Sequence, residues 1–198
     1  MQLTLGMVLF DGFELLDAFG PLEMFGLLKD KVRIVIVGEK FGFVKSSAGP
    51  AILIETILAE NIKTDILMIP GGMGTRREVK NRPFLEEFSK LAAVSSHVAS
   101  ICTGAAVLAR AGLLDNRNAT TNKKSFEWVT TQGPNVNWVK HARWVEDGKF
   151  FTSSGVSAGT DMALALIAKI FGRETALQTA TLAEYEWNSD PNHDPFAV

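Results

Sequence analysis

Residues 97–112 read His-Val-Ala-Ser-Ile-Cys-Thr-Gly-Ala-Ala-Val-Leu-Ala-Arg-Ala-Gly, and this stretch admits few folds. Residues 98–101 are a short apolar run with the length of a buried strand. The run stops at Cys102, the one cysteine of the chain. Small residues follow from Thr103 to Ala106, and a helical pattern then runs to Gly112, which suits a C-terminal cap. The spacing predicts strand, sharp turn and helix, with sulfur at the corner. That is the arrangement of a nucleophile elbow with a thiol in place of a hydroxyl. A thiol at a helix N-terminus meets free N–H groups and the positive end of the dipole. The sequence therefore predicts a partly exposed Cys102, more acidic than a free thiol and able to act as a nucleophile. Lone cysteines are often small core residues, but an elbow of small residues is a poor place for packing alone.

The segments on either side alternate between strand and helix patterns. Residues 3–10, 32–37 and 65–69 read as buried strands. Residues 42–55 read as short strands around a Gly49-Pro50 turn, and 118–121 as another short strand. Residues 137–146 and 149–153 should pair across Asp147-Gly148, a strong hairpin signal. Helices are expected over 83–94, with Asn81 as cap, and over 125–131, 157–171 and 174–187. Between the first strand and the next, one turn should end near Phe19 and a helix start at Pro21. Residues 189–198 read as an irregular tail. This pattern predicts one α/β domain over 1–198, a doubly wound, mostly parallel sheet flanked by helices. Asp17 falls at the irregular junction after the first strand, where site residues collect in such sheets. Pro70-Gly71-Gly72 closes the strand at 65–69, and paired glycines there let backbone N–H groups face a ligand.

Four segments carry a resemblance: Ser100-Ile101-Cys102-Thr103-Gly104-Ala105, Leu16-Asp17-Ala18-Phe19-Gly20-Pro21, Pro70-Gly71-Gly72-Met73-Gly74-Thr75-Arg76, and Ser154 to Leu164. In this order, over nearly the whole chain, they resemble the ThiJ/PfpI superfamily, which shares the class I glutamine amidotransferase-like, flavodoxin-like fold. Threonine after the cysteine and the Leu-Asp-x-x-Gly-Pro segment place the chain nearer the isonitrile hydratase branch than the protease branch. The resemblance implies a cysteine enzyme adding water to a small molecule, with Cys102 as nucleophile and Asp17 approaching its sulfur. It implies an oxyanion-type pocket from the N–H groups of Gly72 and Thr103, with Gly71 beside them, and a homodimer. The chain departs from the pattern at two places. Position 103 is threonine where the hydrolases carry histidine, and the branch-typical Thr-Thr-His-Trp reads Thr120-Thr121-Asn122-Lys123.

Other classes are disfavoured. A net charge of −2 lacks the footprint of a nucleic-acid binder. No apolar run is long enough to span a bilayer, and the N-terminus has no basic leader region, so a cytoplasmic protein is expected. One cysteine and three scattered histidines form no ligand-spaced cluster, so no metal is expected. No phosphate-binding glycine motif follows a strand, so no nucleotide cofactor is expected. His97 begins the strand that ends at Cys102, about 15 Å away. His141 and His193 fall in the hairpin and the tail, and Asp161 is expected to complement the dipole of its helix. Two alternatives remain. One is an amidase or protease of the same superfamily, against which the missing histidine argues. The other is an oxidant- or ligand-sensing module; related domains occur in helix-turn-helix regulators, although no basic second domain is visible here.

Overall fold

A strand whose side chains are apolar at nearly every position must be covered on both faces, and the run at residues 3–10 meets that condition. It becomes β1 (Leu3–Val8), with Leu5, Met7 and Val8 fully buried. The computed structural model describes residues 2–60 and 62–197. After β1 come α1 (Leu15–Gly26), β2 (Val32–Gly38), β3 (Gly42–Lys45), β4 (Ala51–Ile54), β5 (Thr56–Ile57), β6 (Ile66–Ile69), α2 (Thr75–Glu78), α3 (Arg82–Val94) and β7 (His97–Ile101). A 3₁₀ turn (Cys102–Gly104) leads into α4 (Ala105–Arg110). Then follow β8 (Asn118–Ala119), α5 (Phe126–Thr130), β9 (Asn137–Trp138), β10 (Trp144–Asp147), β11 (Phe150–Ser153), α6 (Ala158–Phe171) and α7 (Arg173–Leu182).

The main sheet has the order β10-β11-β7-β6-β1-β2-β5. Every pairing is parallel except that of the edge strand β10 with β11. From β1 the chain winds outward through β2 to β5, then returns to β6 and winds the other way through β7 to β11. This is the doubly wound sheet the alternation predicts, and its direction reverses between β1 and β6. Ligands bind outside the carboxyl ends of the strands at such a reversal. Helices α1, α6 and α7 pack on one another as one group, while α2 to α5 form a second. No described helix is long and apolar enough to cross a membrane.

Several expected boundaries differ; α7, expected to reach residue 187, ends at Leu182. The break at Gly20-Pro21 does not occur, and α1 runs continuously from Leu15 to Gly26. A proline inside a helix costs about 3 kcal/mol, part of it the missing bond to the carbonyl four residues back, here Asp17. Burial of Leu22, Met24 and Phe25 beyond the proline opposes this with about 1.5–3 kcal/mol each. Gly20 faces Thr160 Oγ1 so closely that a Cβ would not fit, which lets α1 lie against α6. The hairpin arm is also shorter than predicted. Only residues 144–147 pair with β11, while Asn137 and Trp138 pair in parallel with β8.

Candidate active site

β7 delivers Cys102 to the carboxyl edge of the sheet, and the backbone turns sharply there. Ile101 is still extended at φ −111°, whereas Cys102 lies in the left-handed region at φ +57°. A non-glycine residue in that region costs about 1–3 kcal/mol and persists only where its surroundings hold it. Thr121 Oγ1 holds this one, donating to the Cys102 carbonyl at 2.7 Å. The small residues after the corner are required by contact. A Cβ at Gly104 would lie 2.7 Å from the Ile69 carbonyl oxygen, and one at Gly159 would lie 2.6 Å from the Ile101 side chain.

Asp17 comes from the first turn of α1 and is fully buried. Its Oδ2 accepts from Gly71 N–H at 2.9 Å, while its Oδ1 is buried with no conventional hydrogen-bond partner. Burial pushes its pKa up to about 7, against the opposing pull of the Gly71 N–H; Glu14 raises it further and Cys102 lowers it. Cys102 is 6% exposed. The expectation of a partly exposed, acidic thiol is therefore not met. Burial and the neighbouring Asp17 charge push the thiol well above its ordinary value, outweighing the stabilising N–H and hydroxyl of Thr103. The two acids are coupled: the Asp17 charge opposes ionisation of Cys102, while the Cys102 thiol stabilises the Asp17 carboxylate. None of the three histidines is among the groups acting on either residue. His141 and His193 are exposed, and His97 stacks edge-on against Phe151.

The glycine turn after β6 is brought to the same place, but its N–H groups are engaged within the protein. Gly71 N–H donates to Asp17, and Gly72 N–H donates to Thr103 Oγ1 at 2.9 Å. Thr75 Oγ1 lies 3.2 Å from Thr103 Oγ1 and donates to the Gly72 carbonyl at 2.7 Å. The Gly72 N–H expected to face a ligand thus anchors the Thr103 hydroxyl instead, and Thr103 N–H acts on the sulfur itself. Gly72 has φ +119°, and a Cβ there would run into the Gly12 carbonyl and the Glu14 amide, so no other residue fits this turn.

A cavity of about 580 Å³ opens beside the sulfur, lined by Leu16, Asn122, Lys123, Gly155, Val156 and Phe196 among others. Gly155 separates it from the elbow, since a Cβ on that residue would stand 2.9 Å from Cys102 Sγ and would overlap Asn122 Nδ2. The Asn122 Oδ1 accepts from Ser125 N–H at 2.9 Å, which fixes which end of the amide faces the sulfur.

A family model described as the DJ-1/PfpI family matches residues 5–169, nearly all the elements just described. The chain belongs to the DJ-1/PfpI family. The isonitrile hydratase of Pseudomonas putida is 34% identical over 185 residues, covering 93% of this chain and 79% of that protein. The HTH-type transcriptional regulator GlxA of Rhizobium meliloti is 29% identical over 177 residues, covering 87% of this chain and 54% of the regulator, so the chain spans about half of that protein. The crystal structure of a ThiJ/PfpI family protein from Pseudomonas syringae superposes with a TM-score of 0.84 at 28% identity, covering 99% of this chain and 78% of that one.

Outside the matched DJ-1/PfpI segment, the C-terminal tail is tied down by buried charges that the sequence did not signal. Asp161, expected to serve its own helix, instead holds the tail. Its Oδ2 accepts from Arg143 Nε at 2.7 Å and Nη2 at 2.5 Å, and its Oδ1 from Tyr185 Oη and Asn188 N–H, both at 3.0 Å. Asp194 is buried between Lys123 Nζ at 3.7 Å and Arg143 Nη1 at 3.9 Å. Burial pulls Lys123 down to about 8, with Asp194 opposing. Lys123 Nζ also donates to Thr120 Oγ1 and to the Ala142 carbonyl, so this cation anchors the tail. Phe196 is thereby set on the rim of the cavity. Among the described residues no group of three or more His, Cys, Asp or Glu side chains forms a metal site. Gly155 lies in a segment that carries the resemblance and Asn122 at a departure from it, but their meeting at Cys102 depends on loops far apart in sequence.

Proposed function

We propose that this protein is a cysteine enzyme that hydrates a small, neutral, linear electrophile, an isonitrile, to an N-substituted formamide. The observation that carries this reading is the pair of buried acids, Asp17 titrating at about 7 beside an un-ionised Cys102. A group with a pKa near neutrality both donates and accepts a proton readily. Asp17 delivers its proton to the terminal isonitrile carbon. The Cys102 sulfur bonds to that carbon, the C–N bond order falls from three to two, and the thiol proton passes to Asp17. The product is a covalent thioimidate. Water then adds across the C=N bond, its oxygen to carbon and a proton to nitrogen. Cleavage of the C–S bond releases the formamide, and the hydroxyl proton returns to sulfur by way of Asp17. Similarity to the isonitrile hydratase of Pseudomonas putida supports the substrate class. An amidase or protease of the Cys-His kind would need a histidine to protonate its amine leaving group, and no histidine acts on this sulfur.

The test is incubation with cyclohexyl isonitrile and detection of N-cyclohexylformamide. Wild type should turn over, Cys102→Ala should not, and Asp17→Asn should lose about 10²-fold or more. Absence of formamide from wild type would remove the substrate assignment. Full activity in Asp17→Asn would remove the mechanism.

A further inference from the structure

We propose that the Asn122 carboxamide, packed with the Cys102 sulfur against Gly155, is the donor that binds the heteroatom of a substrate seated on Cys102. The inference rests on the cysteine-enzyme reading above and names a residue which that reading does not use. Charge developing beside the reacting carbon needs a preorganised donor. The turn after β6 offers none, because Gly71 N–H is engaged by Asp17 and Gly72 N–H by Thr103. Thr103 N–H is directed at the sulfur. On the cavity side of Cys102 stands Asn122, held through Oδ1 by Ser125 N–H so that Nδ2 is the nearer end at Gly155. Sulfur and amide nitrogen both pack against the same face of Gly155, so they are near neighbours. Asn122 and Gly155 line the 580 Å³ cavity. A reacting carbon bonded to sulfur on its cavity side places its neighbouring nitrogen within reach of the amide, the geometry required of nucleophile and donor.

Cyanamide tests this without an isonitrile. Its nitrile carbon accepts the Cys102 sulfur while the C≡N bond becomes C=N. The nitrile nitrogen takes the thiol proton, leaving an isothiourea seen as the mass gain of one cyanamide. Iodoacetamide alkylates the same sulfur but sheds its charge onto departing iodide, so it reads access and ionisation alone. Asn122→Ala should slow cyanamide addition about 10²-fold and should leave the iodoacetamide rate within about threefold, a spread under ~1 kcal/mol. Asn122→Asp retains the acceptor for Ser125 and should slow cyanamide relative to iodoacetamide by at least as much. Gly155→Ala, which crowds both Asn122 and Cys102, should slow both reagents. An unchanged cyanamide-to-iodoacetamide ratio in Asn122→Ala and Asn122→Asp would overturn the inference. So would a wild type that takes iodoacetamide but not cyanamide. A wild type that adds cyanamide with the expected Asn122 dependence, yet makes no formamide from isonitriles, would sustain the inference and remove only the isonitrile reading.

Discussion

Replacing Asp17 by asparagine should stabilise the protein at neutral pH relative to acid pH while removing its activity. Asp17 is fully buried, and its pKa rises from 3.8 to about 7 on folding. Because the folded pKa is the higher one, the native state keeps a proton that the unfolded chain has released between those values. Wild-type stability therefore falls as pH rises through that window and levels off above it. Each pKa unit is worth about 1.36 kcal/mol. From pH 5 to pH 8 the wild type should thus lose about 3 kcal/mol relative to a variant that cannot ionise at this position. The comparison across pH cancels the packing cost of the new amide, whose Oδ1 can still accept from Gly71 N–H. Urea unfolding of both proteins at pH 5, 6, 7 and 8 reads the difference directly, below the range in which the unfolded thiol ionises. Curves that run parallel within about 0.5 kcal/mol would refute the reasoning, because Asp17 would then carry no burial penalty.

Three further outcomes follow from the same geometry. Alkylation of Cys102 against pH should show a midpoint above the ~8.5 of a free thiol, moving down in Asp17→Asn; a midpoint at or below ~8.5 in wild type would contradict the burial argument. Arg143→Ala leaves the buried Asp161 without its cation and should cost about 3–5 kcal/mol, with earlier proteolysis of the tail; unchanged denaturation would show that Arg143 does not anchor it. Phe43 and Leu53 are paired across β3 and β4 and lie 70% and 49% exposed, and we propose that this apolar face of the hairpin joins two copies. Light scattering should then give a dimer that Phe43→Lys converts to monomer, and a wild-type monomer at micromolar concentration would exclude it.

The elbow was legible because its signal is local. A strand-length apolar run, one cysteine and four small residues force a corner, and φ +57° at Cys102 is that corner. The strands β1, β2, β6 and β7 were legible for the same reason, each being a short, mostly apolar run, with Arg33 of β2 as an exposed exception. Pro21 misled because its local cost is smaller than the burial of the residues beyond it, which no local pattern displays. The acidity of Cys102 misled for a related reason. Dipole and N–H groups are visible from helix position, whereas the depth of burial and a buried carboxyl from α1 are properties of the assembled fold. The engagement of Gly72 N–H by Thr103, and of Asp194 between Lys123 and Arg143, joins residues 31, 71 and 51 positions apart, beyond any spacing rule.

An un-ionised thiol also favours the proposed enzyme over an oxidant sensor. Oxidation follows thiolate character and access, so a sensor is served by a cysteine that is acidic and open. Here the sulfur is 6% exposed, and both burial and a neighbouring carboxyl oppose its ionisation. In the resting state such a site resists oxidation and ionises only when a proton can move at the same time. Asp17, titrating at about 7, supplies that condition when a substrate carbon is present to take the proton. In the proposed reaction attack and proton transfer proceed together without a free thiolate accumulating between turnovers. A neutral substrate entering a buried neutral pair loses little solvation, whereas a charged one would have to shed its water against an uncompensated interior. The same burial that raises both acids therefore favours small neutral electrophiles and disfavours charged peptides. On the proposed function, selectivity of that kind would come from Asp17 and Cys102 together, before any residue of the cavity wall touches the substrate.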